Sequence, residues 1–443
     1  MIPANIRTIP SSVWTNIAKQ FETPCFVYDA TTFKKAAQQM LSFPNPFGLT
    51  VRFAMKASPT KAILKLLHKE GLHFDASSAY EAERAIAAGI PASFVSLSSQ
   101  QLPRSTKIIN DGVSFNACSN RQLKWFSIFI PNLSKLNINF NYSSKSKKNN
   151  FRFGENFHGG SVGLRLNPGK GTGETVKTIV AGKDSAFGIW HEDLDEVKEM
   201  IAKYELKVVR IHTHIGSGTD TETWGKVAKL SLGLVEQFPD VTILNLGGGF
   251  KVNRMSWSWT DIQSIGTSVS HEIQQFYERT NRKLHLEIEP GTFISAFSGY
   301  ILSSIEDLLT TGRDGHNFIK LDAGMTEILR PSLYDAQHPL FIVPTSTRPS
   351  QDKILFSVVG HCCESGDLIT LRNEKDELIP VELDHCEIGD LFVIGAAGAY
   401  CAAMSTKNYN SFPEAPEVML DDDLNIHLIR SRQTLAQITQ NEI

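Results

Sequence analysis

The sequence predicts an α/β TIM (β/α)8 barrel followed by a C-terminal all-β domain, a sandwich or barrel, that also takes the N-terminal strand. Between residues 50 and 290, short apolar runs alternate with helical stretches, and each run ends in a polar or glycine-rich corner. Past residue 295 the helical spacing fades. Alternating strands and helices are typical of a parallel sheet, and eight such units close a barrel whose active site lies at the carboxyl ends of its strands.

The barrel strands are recognised as short apolar runs separated by amphipathic stretches. Leu64 and Leu67 follow the helix start at Pro59, and Leu194 and Val197 show the same helical spacing in a later stretch. The predicted strands are residues 51–55, 73–76, 94–97, 113–116, 162–166, 208–212, 242–246 and 284–288.

Two domains are predicted, because 443 residues exceed what one hydrophobic core usually serves. The barrel domain comprises residues 30–295 and contains an insertion at 132–160, whose Asn, Ser and Lys are typical of a solvated surface loop. Residues 1–29 together with 296–443 form the predicted β domain, because the strand at 26–28 precedes the barrel. Its other predicted strands are residues 318–321, 340–343, 354–359, 391–394 and 426–429.

Composition narrows the class of function. A net charge of -3 offers no basic field for nucleic acid or an anionic membrane, so a small-molecule partner is expected. Six cysteines are too sparse for a disulfide scaffold and fit a reducing cytoplasm. Neither a signal peptide nor a long apolar span is recognisable in the sequence.

Lys56 ends the first barrel strand, directly after Phe53, Ala54 and Met55. Burial at such a position would disfavour the ammonium form, and a neutral lysine amine can form a Schiff base. A single lysine of this kind is more often a surface residue. Its assignment as the centre of the chemistry therefore depends on the other strand ends.

Those strand ends carry groups suited to a phosphorylated pyridine cofactor. Gly247, Gly248 and Gly249 follow the seventh strand, where their backbone N–H groups can approach a phosphate closely. Ser217 can add a hydroxyl donor after the sixth strand. Glu289, in the Glu289-Pro290-Gly291 turn, can pair with a protonated pyridine nitrogen, because only one of the acids Glu287 and Glu289 is expected to face the barrel mouth.

His212 and His214 alternate along the sixth strand and are expected to share one face. No third ligand with recognisable spacing accompanies them, so no metal site is predicted. An imidazole lying flat on a cofactor ring is the alternative role for His214.

In the β domain, Cys363 and Glu364 suggest a thiol proton donor and a carboxylate that recognises an amine, although a polar turn would show the same residues.

Together these residues resemble the fold-type III pyridoxal-phosphate-dependent decarboxylases, which have an alanine racemase-like barrel. The resemblance runs from residue 23 to residue 434. It implies that pyridoxal 5'-phosphate is bound covalently at Lys56 and that His214 stacks on its ring. It further implies that the phosphate is held by Ser217, by residues 247–249 and by Tyr400, and that Glu289 lies at the pyridine nitrogen.

The same resemblance implies supporting and substrate-binding residues. Asp75 and Arg165 match positions near the ring, and Gly291 belongs to the cofactor turn. Arg330 and Tyr334 match residues that grip a substrate carboxylate. Cys363 is implied as the proton donor, and Glu364 and Tyr400 are implied as substrate-binding residues. Family members place the residues that match Cys363 and Glu364 in the neighbouring subunit's site, so a homodimer is expected.

The implied reaction is decarboxylation of meso-2,6-diaminopimelate to L-lysine and CO2. Thr292 departs from the family pattern, which usually has Arg after Glu-Pro-Gly, so a guanidinium for the distal carboxylate is absent there. Related decarboxylases of ornithine, arginine, lysine or carboxynorspermidine therefore remain alternatives. A non-catalytic pyridoxal-phosphate-binding regulator is a further alternative, and a racemase is disfavoured by the Cys363-Glu364 motif.

Overall fold

A computed structural model describes residues 7–129, 161–171, 180–214, 216, 218, 220–349 and 352–443. The predicted insertion at 132–160 and the candidate site residue Ser217 lie outside these ranges. Among the helices that the structure describes, none combines the length and apolarity needed to cross a bilayer.

Eight parallel strands close the predicted barrel. The last strand returns to the first, with Ile288 opposite Val51, and neighbouring strands pair in parallel around the ring. In chain order the strands are β2 (Leu49–Ala54), β3 (His73–Ala76), β4 (Val95–Leu97), β5 (Ser114–Ala117), β6 (Ser161–Asn167), β8 (Lys207–Thr213), β9 (Ile243–Asn245) and β12 (His285–Ile288). The prediction of a (β/α)8 barrel is thereby confirmed.

Amphipathic helices pack their apolar faces on this barrel, with Leu64, Leu67 and Val197 buried as their spacing predicted. They are α2 (Ala30–Leu41), α3 (Lys61–Lys69), α4 (Ala79–Ala87), α5 (Lys107–Asn110), α6 (Asn120–Phe129), α7 (Leu194–Lys203), α8 (Thr221–Val235), α9 (Ile262–Thr280) and α10 (Thr292–Ser295). Three short strands lie between them, β7 (Ile189–Trp190), β10 (Val252–Asn253) and β11 (Ser258–Trp259), and α1 (Ser11–Phe21) precedes the barrel.

A second, mixed sheet forms the β domain. Its strands are β1 (Cys25–Asp29), β13 (Gly299–Thr310), β14 (Asn317–Leu321), β15 (Leu340–Val343), β16 (Ile354–Val359), β17 (Val381–Leu383), β18 (Leu391–Ile394), β19 (Glu417–Leu420) and β20 (Ile426–Arg430), with helices α11 (Arg330–Tyr334) and α12 (Leu435–Thr439). All five predicted strands are present, whereas β13, β17 and β19 were not predicted.

The N-terminal strand belongs to this second sheet. Strand β1 lies between β13, to which it is antiparallel, and β19, to which it is parallel. All five of its residues are buried, so the strand is part of the core of the β domain. The expectation that the β domain takes the N-terminal strand is confirmed, while the boundary positions 29/30 and 295/296 stay a prediction.

The barrel encloses charged side chains rather than a purely apolar core. Glu287 on β12 lies 2.7 Å from Arg52 Nη2 on β2 and 2.9 Å from Arg210 Nε on β8. All three side chains are almost fully buried. Burial opposes the charge of Glu287, but the two guanidiniums hold the pKa of this carboxyl far below its usual range. The group is therefore a buried triad of one carboxylate and two guanidiniums beneath the barrel mouth.

Candidate active site

Lys56 lies at the carboxyl end of the first barrel strand, in a short 3-10 turn at Met55–Ala57. Met55 and Ala57 are buried, whereas the Lys56 side chain is exposed. The predicted burial of Lys56 is therefore wrong, because its two neighbours take the buried positions of the turn. The turn directly follows β2 at the barrel mouth, and the Lys56 charge lowers the pKa values of both Asp75 and His214.

Asp75 is the penultimate residue of the next strand, β3, and is only 5% exposed. Burial raises the pKa of its carboxyl well above the usual range, and the negative charge of Glu289 adds to that effect while Lys56 opposes it. Within the described chain, Asp75 Oδ1 is buried without a hydrogen-bond partner. Such an atom is suited to accept or donate one further hydrogen bond to a bound group.

His214 follows strand β8 and lies against the glycine loop. A Cβ on Gly247 would lie 2.7 Å from the Cβ of His214 and 2.8 Å from its Cγ, and Gly247 has a φ of +70°, so only glycine fits there. Burial of the ring, together with the charges of Lys56 and Arg165, holds the pKa of His214 well below its usual range. The imidazole of His214 is therefore uncharged at neutral pH.

The glycine loop after β9 is fixed by backbone hydrogen bonds. Gly247 donates to Asn245 Oδ1 over 2.8 Å and accepts from the Glu289 amide over 2.8 Å. A Cβ on Gly248 would lie 2.4 Å from the Glu289 carbonyl oxygen. A small cavity beside this loop is lined by Gly216, Gly218, Thr223, Trp224, Val227, Leu246 and Gly248. Closely approaching backbone of this kind is suited to cradle a phosphate.

Glu289 lies deep in the mouth and keeps its charge. Burial opposes ionisation, but His212 3.3 Å away and a 2.6 Å hydrogen bond from the Asn245 amide hold the pKa of Glu289 below its usual range. His212 also lies 3.3 Å from the Ser98 hydroxyl, so its contacts orient Glu289. No group of three or more His, Cys, Asp or Glu within the described ranges is arranged to hold a metal ion.

Glu287 on β12 and Glu289, which directly follows this strand, both contact the side chain of Asn245. Asn245 Nδ2 lies 3.2 Å from Glu287 and 2.6 Å from Glu289, so one amide contacts both carboxylates. They differ in depth rather than in direction, since Glu287 contacts the two arginines below the mouth. Residues i and i+2 of a strand share a face, so the two carboxylates lie on the same side of the strand.

The second domain contributes Tyr400 to the mouth. Its backbone N–H donates to the Ala57 carbonyl over 2.9 Å, and its hydroxyl would lie 3.1 Å from a Cβ on Gly291. The structure therefore brings the Lys56 turn, Gly291 and Tyr400 together. Arg165, half-buried on β6, lies 5.1 Å over the Phe187 ring, and its charge reaches both Asp75 and His214.

Arg330 and Tyr334 share helix α11, with the guanidinium 5.8 Å from the Tyr334 ring centroid. Arg330 Nε donates to His338 Nε2 over 3.3 Å, while His338 Nδ1 lies 3.0 Å from the Gly395 carbonyl oxygen. Because a carbonyl only accepts, His338 carries its proton on Nδ1 and receives Arg330 at Nε2. His338 and Asn245 were missed from sequence; the position of Asn245 just before the glycine triplet was the available signal.

Cys363 and Glu364 lie on an exposed turn of the β domain. The Cys363 amide donates to Asn410 Oδ1 over 2.9 Å, and Glu364 Oε1 accepts from the Gly366 amide over 3.1 Å. These contacts are with residues of the β domain itself. The turn is anchored by buried Asp367, which accepts from the Met325 amide over 2.6 Å and the Cys362 amide over 2.8 Å.

The residues at the mouth fit pyridoxal phosphate. The glycine loop packs too closely on His214 and Glu289 to admit a Cβ at Gly247 or Gly248, neutral His214 offers a ring face, and ionised Glu289 suits a protonated pyridine nitrogen. Asp75 Oδ1 and His214 Nδ1 are buried and, among the described residues, lack hydrogen-bond partners. A polar ring bound between them would satisfy such atoms.

Comparison with known proteins agrees with this geometry. The family model for the pyridoxal binding domain of pyridoxal-dependent decarboxylases matches residues 31–296. The diaminopimelate decarboxylase of Streptomyces coelicolor is 30% identical to this chain, and the alignment covers 96% of this chain and 90% of the relative. The diaminopimelate decarboxylase of Escherichia coli K12 is 31% identical, and the alignment covers 96% of this chain and 94% of the relative. A crystal structure of a diaminopimelate decarboxylase has a TM-score of 0.81 at 28% identity, covering 96% of this chain and 95% of its own. The chain therefore belongs to the family of pyridoxal-dependent decarboxylases.

Proposed function

We propose that this protein decarboxylates meso-2,6-diaminopimelate, releasing CO2 and forming L-lysine. The observation that carries the proposal is the convergence of Lys56, His214, ionised Glu289 and the glycine loop at one barrel mouth. The full-length likeness to two diaminopimelate decarboxylases supports the substrate. Pyridoxal phosphate, when bound, supplies an electron-accepting ring.

The chain's own residues bind and orient that cofactor. Lys56 would be the site of covalent attachment, and His214 would offer its ring face to the cofactor. Residues 247–249, Ser217 and Tyr400 would hold the phosphate, and Gly291 leaves room for the Tyr400 hydroxyl. Asp75 and Arg165 would support the cofactor from β3 and β6. Glu289, held ionised by His212 and Asn245, favours a protonated ring nitrogen.

The substrate is oriented by a separate set of residues. Arg330 and Tyr334 on α11 grip a carboxylate, and Glu364 recognises the distal amino group. As the bond from Cα to the departing carboxylate breaks, its electron pair stays with the organic fragment, and Cys363 or Lys56 delivers a proton to Cα. These roles follow from matching positions in the family and are tested by substitution.

The protein is further proposed to act as a homodimer with shared active sites. Cys363 and Glu364 are exposed and are held by contacts within the β domain, which leaves them available to a neighbouring subunit. A cytoplasmic location is proposed on the six cysteines, all of which are free.

The decisive experiment is an assay of purified protein with added pyridoxal phosphate. Separate reactions contain meso-diaminopimelate, ornithine, arginine, lysine and carboxynorspermidine, and both CO2 and the amine product are measured. Thr292 is the observation that keeps the other substrates as a second candidate. CO2 release from meso-diaminopimelate alone supports the proposal, release from another amino acid reassigns the substrate, and bound cofactor without turnover would indicate a regulator.

A further inference from the structure

Position 292 opens helix α10 with a threonine, so this helix offers no cation to a substrate carboxylate at that point. The hairpin formed by β10 and β11 packs directly against the same helix. Trp259 Nε1 on β11 donates to the Phe293 carbonyl over 3.1 Å, and the Trp259 ring lies edge-on to Phe297 at 4.8 Å. The turn between the two hairpin strands begins with Arg254.

Arg254 is half-buried and reaches across to the β domain. Its Nε donates to the carbonyl oxygen of Ala396 over 3.2 Å. The preceding carbonyl, that of Gly395, accepts from His338, and His338 in turn accepts from Arg330. Two consecutive peptide carbonyls therefore hold these arginines at one turn: Ala396 binds Arg254 directly, and Gly395 holds Arg330 through His338. This turn lies four residues before Tyr400, whose backbone contacts the Lys56 turn.

The charges of both arginines act on the same buried groups. Burial lowers the pKa of His338 well below its usual range, and Arg254 and Arg330 both add to that effect. Burial raises the pKa of the Cys401 thiol to about 11, and the same two guanidiniums oppose that rise. Two like charges held near one turn repel each other, and a carboxylate between them would offset that repulsion through charge-assisted hydrogen bonds.

We propose that Arg254 determines substrate specificity by binding, together with Arg330, the carboxylate that the reaction leaves in place. Arg254 thus supplies from the hairpin the guanidinium that position 292 lacks. The inference rests on the proposed function, because it concerns the distal end of an amino acid with two carboxylates. L-lysine retains that carboxylate, whereas cadaverine has none.

The test uses the holoenzyme of the Arg254→Ala variant. The KM for meso-diaminopimelate and the inhibition constant of L-lysine are expected to rise together, by roughly ten- to a hundredfold, because a charge-assisted contact is lost. The inhibition constant of cadaverine should stay unchanged, and kcat should change less than KM. Arg279→Ala is the matched control, since Arg279 is an exposed arginine paired with Glu236.

A rescue variant separates binding from folding. In Arg254→Ala/Thr292→Arg, a guanidinium returns at the start of α10, and the KM for meso-diaminopimelate should recover at least in part. An unchanged KM and an unchanged lysine inhibition constant in Arg254→Ala would overturn the assignment, as would an equal loss of cadaverine binding. Failure of the proposed function is seen separately, because the wild-type enzyme would then leave meso-diaminopimelate intact.

Discussion

The side-chain amide of Asn245 donates a 2.6 Å hydrogen bond to Glu289 at the barrel mouth. The same nitrogen lies 3.2 Å from Glu287, which is paired with both Arg52 and Arg210. Asn245 therefore joins the buried triad to the acid proposed to meet the cofactor. Its carbonyl oxygen also accepts from the Gly247 amide over 2.8 Å, so one side chain positions both Glu289 and the glycine loop.

Replacing Asn245 by Asp tests this connection. The new carboxylate retains an acceptor for Gly247 but places a third negative charge beside two others, so the pKa of Glu289 should rise. Cofactor affinity should then fall by roughly tenfold or more at neutral pH. As pH is lowered, the further fall in affinity that accompanies protonation of Glu289 should begin at a higher pH than in the wild type. The measurement is the dissociation constant of pyridoxal phosphate as a function of pH; superimposable wild-type and variant curves would contradict the role.

Replacing Gly248 by Ala tests the close approach of the loop. The added Cβ would lie 2.4 Å from the Glu289 carbonyl oxygen, so the loop must move and cofactor affinity should fall by roughly tenfold or more. The matched control is Gly233→Ala in α8, where no heavy atom lies within 4 Å of the new Cβ. The control should keep its cofactor affinity and gain about 1 kcal/mol in the free energy of unfolding. Wild-type affinity in Gly248→Ala would show that the loop does not cradle the phosphate.

Neutralising Glu287 tests the buried triad. Glu287→Gln leaves Arg52 and Arg210 without their counter-charge, and loss of one partner from a buried ion pair costs about 3 to 5 kcal/mol in the free energy of unfolding. Glu236→Gln removes the exposed partner of Arg279 and should cost about 0 to 1 kcal/mol. Urea unfolding at neutral pH measures both variants, and equal costs would show that the triad contributes no more than a surface pair.

Glu327 in the β domain gives stability a dependence on pH. Burial raises the pKa of its carboxyl to about 7, with Asp322 and Asp367 adding to the rise and hydrogen bonds from Thr326 and Gly324 opposing it. The folded state therefore binds more protons than the unfolded state between about pH 4.5 and 7, and stability falls as pH rises through that window.

The Glu327→Gln variant should lack this part of the dependence. The amide cannot ionise. As pH rises through the window, the free energy of unfolding of the variant should therefore increase relative to that of the wild type by on the order of 3 kcal/mol. Urea midpoints at intervals of pH, with Glu377→Gln as an exposed control, provide the measurement. Parallel curves for wild type and Glu327→Gln would place the titration elsewhere; His361, 3.7 Å from Glu327, is the neighbouring group to substitute next.

Mixing two inactive variants tests the shared active site. Lys56→Ala removes the cofactor attachment from one subunit and Cys363→Ala removes the proposed proton donor from another, so a mixed dimer keeps one intact site if the two residues come from different subunits. Random mixing should restore about a quarter of wild-type activity. No gain over the separate variants would place both residues in one subunit's site, or show that the subunits do not share sites.

The barrel strands were predictable because each is a short apolar run that ends where the polarity changes. Strand β13 was missed since Ser303, Ser304, Glu306 and Asp307 interrupt its apolar pattern, although Leu302 and Ile305 are buried. Strand β19 was missed because it is short and begins with Glu417, a buried acid that accepts from the Thr60 hydroxyl over 2.6 Å. Only the folded sheet provides these polar residues with partners.

The positions of the candidate site residues were predictable, but their surroundings were not. The strand-end rule located Lys56, His214 and Glu289 without any knowledge of distances, whereas Asp75 came only from the family resemblance. The contacts of Asn245 and His338 depend on side chains far away in sequence, which periodicity does not encode. The exposure of Lys56 depends on a turn whose burial pattern becomes visible only after the barrel closes.

The position of β1 also governs how the molecule is made. Strand β1 pairs in parallel with β19, where Phe26 lies opposite Glu417. During synthesis β1 must wait, unpaired along that edge, until β19 has emerged, and such long-range closure slows assembly. A nonsense codon anywhere before residue 417 would leave that nascent edge uncovered, so premature termination is expected to yield an aggregating product rather than a smaller working enzyme.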